Sequence, residues 1–313
     1  MQRRRLGSAG PEISVIGYGA WEAGGEAWGP NMSDEVVIAA MHAAIEAGID
    51  WIDTAEIYGA GNSERLIGLA IADRRDDVLI ASKVAPSDEG TGFRPDQVAQ
   101  ACDASLARMG IDVIDLYQLH WPDGSGVPIE DTWGAMISLI EAGKVRFIGV
   151  SNFDQALIER CEAERHVDSL QQQFSPITRG DRDLIRWCGE HGTGVVTYGP
   201  LGYGLLTGAY TRELAVAVDD WRRTDEDGPF APENLDRGLD LVESLRAIAD
   251  RIGCTIAQLT LAWNYRQPGV TSAIAGSRNP GHVRDNAASG DLALDAATLA
   301  EIDSLLALEA PAD

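Results

Sequence analysis

The chain has little with which to build a disulfide scaffold, a membrane span or a nucleic-acid surface. Its four cysteines, Cys102, Cys161, Cys188 and Cys254, are scattered without a C-x-x-C pair, and each falls in a helical apolar pattern. They read as buried free thiols; neither a disulfide framework nor a metal site is expected. No stretch approaches 18 apolar residues, and the basic residues 1–10 have no apolar segment behind them. Neither a membrane span nor a signal peptide is expected, which makes a reducing cytoplasm the expected compartment. Positive charge is also scarce: Lys+Arg 25 against Asp+Glu 49 leaves a formal charge of -24. Such a surface repels nucleic acid and anionic membrane, so an anionic ligand must be held by a local cluster of N–H groups and arginine. The glycine fingerprint of a Rossmann turn is missing too, since Gly17-Tyr-Gly19-Ala-Trp-Glu22 offers two glycines and no helix start.

What is present is a repeating unit. Apolar residues make up 45% and charged residues 24%, as in proteins with a large buried core. Two short runs, 3–6 and 13–16, flank Gly7-Ser-Ala-Gly10-Pro11 and predict a β-hairpin. Short apolar runs then recur at 15–20, 49–54, 78–84, 113–119, 145–150, 168–174, 194–198 and 271–275. Helical patterns alternate with them. Ser33 caps the first, Gly48 ends it, Pro95 opens another and Gly110 closes it. Others span 63–72, 129–142, 181–191 and 280–288, and one opens near Asp154. A polar insertion, 211–237, precedes a two-part helix, 238–252 and 255–266, and an apolar helix at 295–307 ends the pattern. Near-continuous apolar strands with helical crossovers predict a parallel sheet buried on both faces. Eight units without a linker predict an α/β protein: one closed (β/α)8 TIM barrel domain over residues 1–313, with an N-terminal β-hairpin and a C-terminal extra helix.

Chemistry in such a barrel belongs at the C-terminal ends of the strands. Those ends carry Asp53, Lys83 and His120, with Tyr58 on the loop after Asp53, and each interrupts an apolar run. Taken singly, Lys83 would snorkel to solvent, His120 would be structural and Tyr58 a loop aromatic. Asp53 is poorly placed as a helix cap, because the next helix starts only at Asn62-Ser63-Glu64. Together the four make sense as a proton donor. A phenol with a pKa near 10 is a weak acid at neutral pH. An adjacent ammonium favours phenolate and lowers that pKa, Asp53 keeps Lys83 charged, and a neutral His120 orients a carbonyl oxygen beside the phenol. Such a site protonates an oxygen becoming an alkoxide. It needs a hydride donor, which no side chain supplies, so a cofactor is implied.

At this point the residues resemble the aldo-keto reductase superfamily, from about Gly7 to Asn286. The marks are Asp53-Thr-Ala-Glu-Ile-Tyr58-Gly59 with Ser63-Glu64, Ser82-Lys83, Leu116-Tyr-Gln-Leu-His120-Trp121-Pro122 and Gly149-Val-Ser151-Asn152-Phe153. Tyr198-Gly-Pro200-Leu201-Gly202 and Gly276-Ser277-Arg278-Asn279-Pro280 complete them. The resemblance implies a catalytic tetrad of Asp53, Tyr58, Lys83 and His120, with Tyr58 as general acid. It also implies hydride transfer from a nicotinamide cofactor bound without a Rossmann fold. Ser151, Asn152 and Gln171 match nicotinamide contacts, although Gln172 or Gln173 would serve if the register slipped by one or two. Tyr198 matches the aromatic that stacks on the nicotinamide; Gly199, Leu201 and Gly202 match the loop over the pyrophosphate. Ser277, Arg278, Asp285 and Asn286 match contacts to the adenosine phosphate and adenine, and backbone N–H groups near 277–282 suit a phosphate. Gly276 stands where many members have Lys, and His282 where they have Arg or Gln. That leaves Arg278 as the main cation for a 2′-phosphate, with His282 as helper. NADP (NADPH) is the implied cofactor, and NAD the alternative.

Trp21 and Trp121 match aromatic wall positions, and Trp28 with the 22–26 loop is placed beside them as substrate contacts. The insertion is expected either to fold over the mouth or to stay a surface loop. The tail 309–313 is too short to form a substrate loop, which predicts an open, shallow pocket for a small aldehyde, ketone or sugar. A monomer or weak homo-oligomer is expected. The rival readings are a non-catalytic cofactor-binding regulatory subunit on the same fold and, more remotely, a glycosidase built on Asp53 and Glu56.

Overall fold

The chain enters through an antiparallel hairpin, β1 (Arg3–Arg5) and β2 (Glu12–Ser14), in which Arg3 faces Ser14 and Arg5 faces Glu12. Eight parallel strands follow and close on themselves. They are β3 (Ile16–Gly19), β4 (Trp51–Asp53), β5 (Leu79–Val84), β6 (Ile114–Leu119), β7 (Val145–Ser151), β8 (Ser169–Gln173), β9 (Gly194–Tyr198) and β10 (Val270–Ala275). Strand β10 pairs with both β9 and β3, so the barrel has no open edge. These coordinates are a computed structural model that describes residues 1–25, 28, 32–86, 93–212 and 220–308. Glu26 of the 22–26 loop, residues 213–219 of the insertion and the tail 309–313 lie outside the described residues.

The apolar runs are continuous because each strand buries both faces. Around the outer faces run the helices α1 (Asp34–Glu46), α2 (Asn62–Ala70), α3 (Pro95–Met109), α4 (Ile129–Glu141), α5 (Gln155–Glu164), α6 (Arg182–Glu190), α7 (Pro232–Ile252), α8 (Ile256–Asn264), α9 (Pro280–Ala288) and α10 (Ala296–Leu308), the last of which packs on α7. The inner faces form a second, smaller core of Trp51, Ala81, Leu116, Val196 and Ile274, and the hairpin adds Leu6 and Ile13 to it. The hairpin therefore plugs the floor of the barrel. Trp51 fills that floor with its indole N–H donating to the Ser14 carbonyl and Ser272 Oγ, both at 3.2 Å. Gly17 is required there, since a Cβ would collide with the Trp51 ring. With the floor sealed by apolar groups, polar side chains at the opposite strand ends have only one way out.

Two sequence expectations shift. The first half of the two-part helix starts at Pro232 rather than 238, with proline at its first position. Arg212 holds this added turn through Asp236 at 2.7 Å and Asp240 at 3.0 Å. Part of the polar insertion is thus helix. Strand β4 is also shorter than the 49–54 run, because Thr54 already turns away, its Oγ 2.8 Å from Ser63 Oγ.

Candidate active site

Asp53 ends β4, Lys83 lies near the end of β5, and His120 follows β6. Lys83 is fully buried and donates from Nζ to Asp53 Oδ2 at 2.7 Å, to the Thr54 carbonyl at 2.8 Å and to Tyr58 Oη at 3.4 Å. The other Asp53 oxygen accepts Gln171 Nε2 at 2.7 Å. The structure therefore brings the three strand-end residues together with Tyr58 and fixes the register of Leu170-Gln-Gln-Gln. Gln171 faces inward, whereas Gln172 turns out to Asp181 at 2.7 Å. The His120 ring meets Tyr58 edge-on with centroids 5.7 Å apart.

The marks around these residues hold the loops in place. Residues 59–61 all take positive φ (59°, 51° and 90°), which turns the chain sharply behind Tyr58. Gly59 is needed for a further reason: its backbone packs on that of Gly24, where neither residue has room for a Cβ. Ser63 Oγ donates to the Ala20 carbonyl at 2.8 Å. Glu64, fully buried, accepts Ser82 Oγ and Arg108 Nε, both at 2.6 Å, and so ties β5 to α2 and α3 just behind Lys83. Glu56 accepts the Ala85 N–H at 2.9 Å, a structural bond that leaves it no place beside Asp53.

The electrostatics correct one expectation. Lys83 does not lower the Tyr58 pKa: burial, and then the Asp53 charge, push it well above 10. Lys83 cannot offset this, because its own charge is balanced by Asp53. Burial also pulls Lys83 down from its usual value, opposed by Asp53. His120 is depressed to about 2 by burial and by the Lys83 charge, so it is neutral at ordinary pH, and its Nδ1 is buried without a hydrogen-bond partner. The linkage has a definite sign. An unfolded histidine takes up a proton near pH 6.5 and the folded one does not, so stability is full above pH 6.5 and falls as pH drops towards 2. The slope reaches about 1.4 kcal/mol per pH unit for one such group. His120→Asn is expected to flatten the acid side of a urea-midpoint profile between pH 6.5 and 4; an unchanged slope would show that other groups dominate it.

Above these residues opens a cavity of about 790 Å³. Of the expected contacts, Trp21, Trp28, Asp53, Tyr58, His120, Trp121, Ser151, Asn152, Gln171, Tyr198, Gly199, Leu201, Ser277, Arg278, His282, Asp285 and Asn286 line it. Lys83 lies beneath, screened by Tyr58, and Gly202 is buried behind the 199–204 turn. Tyr198 and Asn152 form a pair: the phenol donates to Asn152 Oδ1 at 2.8 Å, and Asn152 Nδ2 donates to the His120 carbonyl and Ser151 Oγ, each at 3.2 Å. Trp21 lies nearly parallel to Tyr58 at 6.1 Å, and Trp121 packs on His120 at 4.5 Å. Both tryptophans are more than a third exposed, so they form a wall on the solvent side. Trp28 meets Trp21 edge-on at 4.9 Å.

At the cofactor end several of the expected groups already have partners within the chain. The N–H groups at the start of α9 are engaged locally: Gly281 donates to Asn279 Oδ1 at 2.8 Å and Asn279 to Ser277 Oγ at 3.1 Å. Asp285 accepts Gln258 Nε2 at 2.7 Å and Thr255 Oγ at 3.1 Å, so it braces α8. Arg278 does not stand open. Its Nη2 donates to the Trp28 carbonyl at 2.6 Å, and Nε lies 3.7 Å from Glu22 Oε2.

Arg222 escaped the sequence reading. It donates from Nε to Asp220 at 2.8 Å and from Nη1 to the Tyr203 carbonyl at 2.7 Å, and it faces the rings of Trp28, Tyr210 and Phe230 at 5.2–5.6 Å. It makes the described part of the insertion a wall of the cavity, with Trp221 tilted on Trp21 at 5.2 Å. The available signal was Trp221-Arg222-Arg223, adjacent cations in an otherwise acidic segment.

The model of the aldo/keto reductase family matches residues 15–307. Aldo-keto reductase YhdN of Bacillus subtilis (strain 168) is 35% identical over 291 residues, covering 90% of this chain and 87% of that protein. The glycerol dehydrogenase AKR11B4 from Gluconobacter oxydans has the same fold, with a TM-score of 0.87 at 28% identity over 99% of this chain and 96% of that one. An aldo/keto reductase from Klebsiella pneumoniae, solved in complex with NADP and acetate, superposes with a TM-score of 0.75 at 31% identity, covering 98% and 96% of the two chains. A match over nearly the whole barrel, and over the strand ends that carry Asp53, Lys83 and His120, places this chain in the aldo/keto reductase family.

Proposed function

We propose that the protein is an NADP(H)-dependent oxidoreductase that transfers hydride between nicotinamide and the carbonyl or alcohol carbon of a small aldehyde, ketone or sugar. It works as one barrel domain in a reducing compartment, the cytoplasm. The observation that carries this reading is Lys83, fully buried, bonded to Asp53 and within 3.4 Å of the Tyr58 hydroxyl at the floor of a large cavity. A buried ammonium carries a heavy desolvation cost, and a purely structural one is often replaceable by apolar packing. Its position under a phenol gives it a chemical use.

The cavity suits a dinucleotide. Tyr198, Ser151, Asn152 and Gln171 would hold the nicotinamide end, residues 199–202 the pyrophosphate, and Arg278, His282 and Asn286 the adenosine end. When bound, the reduced cofactor supplies the hydride that no side chain can. Tyr58 supplies the proton. Its raised pKa keeps that proton on the phenol at neutral pH, so the acid is loaded before substrate arrives. As the proton passes to the substrate oxygen, the phenolate left behind keeps the Lys83 hydrogen bond, which strengthens as its acceptor becomes charged. His120, neutral, offers a hydrogen bond to the same oxygen without competing for its proton. Trp21 and Trp121 border the mouth beside Tyr58 and His120, and Trp28 backs Trp21, so a carbonyl carbon is held between apolar faces.

NADPH titration followed by a panel of aldehydes, ketones and sugars tests the reading, with NADPH oxidation expected for at least the reactive aldehydes. Tight NADPH binding with no turnover across the panel would instead favour a non-catalytic cofactor-binding subunit.

A further inference from the structure

At the adenosine end of the cavity an acid occupies the face of the cation. Glu22, in the turn after β3, lies 3.7 Å from Arg278 Nε and accepts a hydrogen bond from the Arg278 backbone N–H. The guanidinium and the amide that a phosphate would use are thus both turned to a carboxylate. Glu22 is over a quarter exposed to the cavity, so it is not sealed away as a core ion pair. Burial raises its pKa from the ordinary carboxylate value, and the Arg278 and Arg222 charges oppose that rise. The Trp28 carbonyl, on the same loop, takes a second arm of Arg278.

We propose that Glu22 is a specificity-determining residue: its carboxylate competes with the 2′-phosphate of the cofactor for Arg278 and narrows the preference for NADPH over NADH. The inference rests on the proposed cofactor reading. A phosphate reaching Arg278 must displace the carboxylate or lie beside it, and two anions against one guanidinium repel. A ribose bearing a free 2′-hydroxyl faces no such conflict, since carboxylates accept hydrogen bonds from ribose hydroxyls in other dinucleotide sites. Arginine at this position therefore does not by itself make the site NADP-selective. A structural role gives a different expectation: if Glu22 only anchored the 21–25 turn, removing its charge would weaken both nucleotides alike.

The test is binding of NADPH and NADH to wild type and Glu22→Gln, read by quenching of tryptophan fluorescence, since Trp21, Trp28 and Trp221 surround the site. Glu22→Gln is expected to raise the ratio of NADH to NADPH dissociation constants about tenfold, the effect of removing roughly 1.4 kcal/mol of charge repulsion. In an Arg278→Ala background the same change should move the ratio less than about twofold, because the competition runs through the guanidinium. Adenosine 2′-monophosphate should report the same gain without any nicotinamide. Glu22→Ala repeats the comparison should the glutamine variant fail to fold. An unchanged ratio in a wild type that binds both nucleotides overturns the inference alone; a parallel loss for both assigns Glu22 to structure. A wild type that binds neither overturns the cofactor reading and this inference with it.

Discussion

Tyr58→Phe is expected to lower kcat roughly a thousandfold while leaving the NADPH dissociation constant within about twofold of wild type. The substitution removes one oxygen and keeps the ring that Trp21 lies against and that His120 meets edge-on. The lost groups are the transferable proton and the acceptor of the Lys83 hydrogen bond. Lys83 keeps its bonds to Asp53 and Thr54, so the barrel mouth has no reason to collapse. The loss should fall on kcat rather than on binding, because the proton is needed only as the substrate oxygen becomes negative. Steady-state rates with a reactive aldehyde, together with fluorescence titration of NADPH, provide the check. A variant that retains a tenth of wild-type kcat would remove Tyr58 from the role of acid.

Lys83→Met is expected to abolish turnover and also to destabilise the fold by about 3–5 kcal/mol, the cost of stranding a buried charge. The stranded group is Asp53, nearly buried and left with Gln171 as its remaining side-chain donor. Adding Asp53→Asn removes that charge, so the double variant should recover most of the urea midpoint and none of the activity. This split separates the two roles of the pair. Stability depends on the two residues matching, and activity depends on the ammonium itself. If the double variant stays as unstable as the single, the cost lies in packing around Lys83 and not in its charge.

Much of the barrel was legible because each strand is buried on both faces, and such strands read as short unbroken apolar runs. Chain breaks at Gly48, Gly110 and Gly143 mark real helix ends in the left-handed region. The start of α7 was not legible, since its first turn is polar and is held by Arg212 from outside the helix. At the strand ends, Asp53, Lys83 and His120 stood out as polar groups closing apolar runs. Lys83 carries a further signal: it and Lys144 are the lysines of this chain, and arginine serves everywhere else. The surroundings of Arg278 were not legible. Its pairing with Glu22 joins residues more than 250 positions apart across the seam between β10 and β3, and no local pattern encodes that contact. Arg222 was hidden for the same reason, because Tyr203 and Trp28, which fix it against the cavity, come from separate loops.

The bare contact between Gly24 and Gly59 bears on how this enzyme can be altered. It locks the turn that carries Trp21 and Glu22 to the turn that carries Tyr58, with no side chain between them to absorb a shift. A library that remodels residues 21–25 to admit a new substrate therefore also moves the phenol, and gains in fit there will be offset by losses in rate. Trp121 and the wall of Tyr203, Tyr210 and Arg222 approach the cavity from elements that do not share this contact, which makes them the side from which selectivity can be changed one residue at a time.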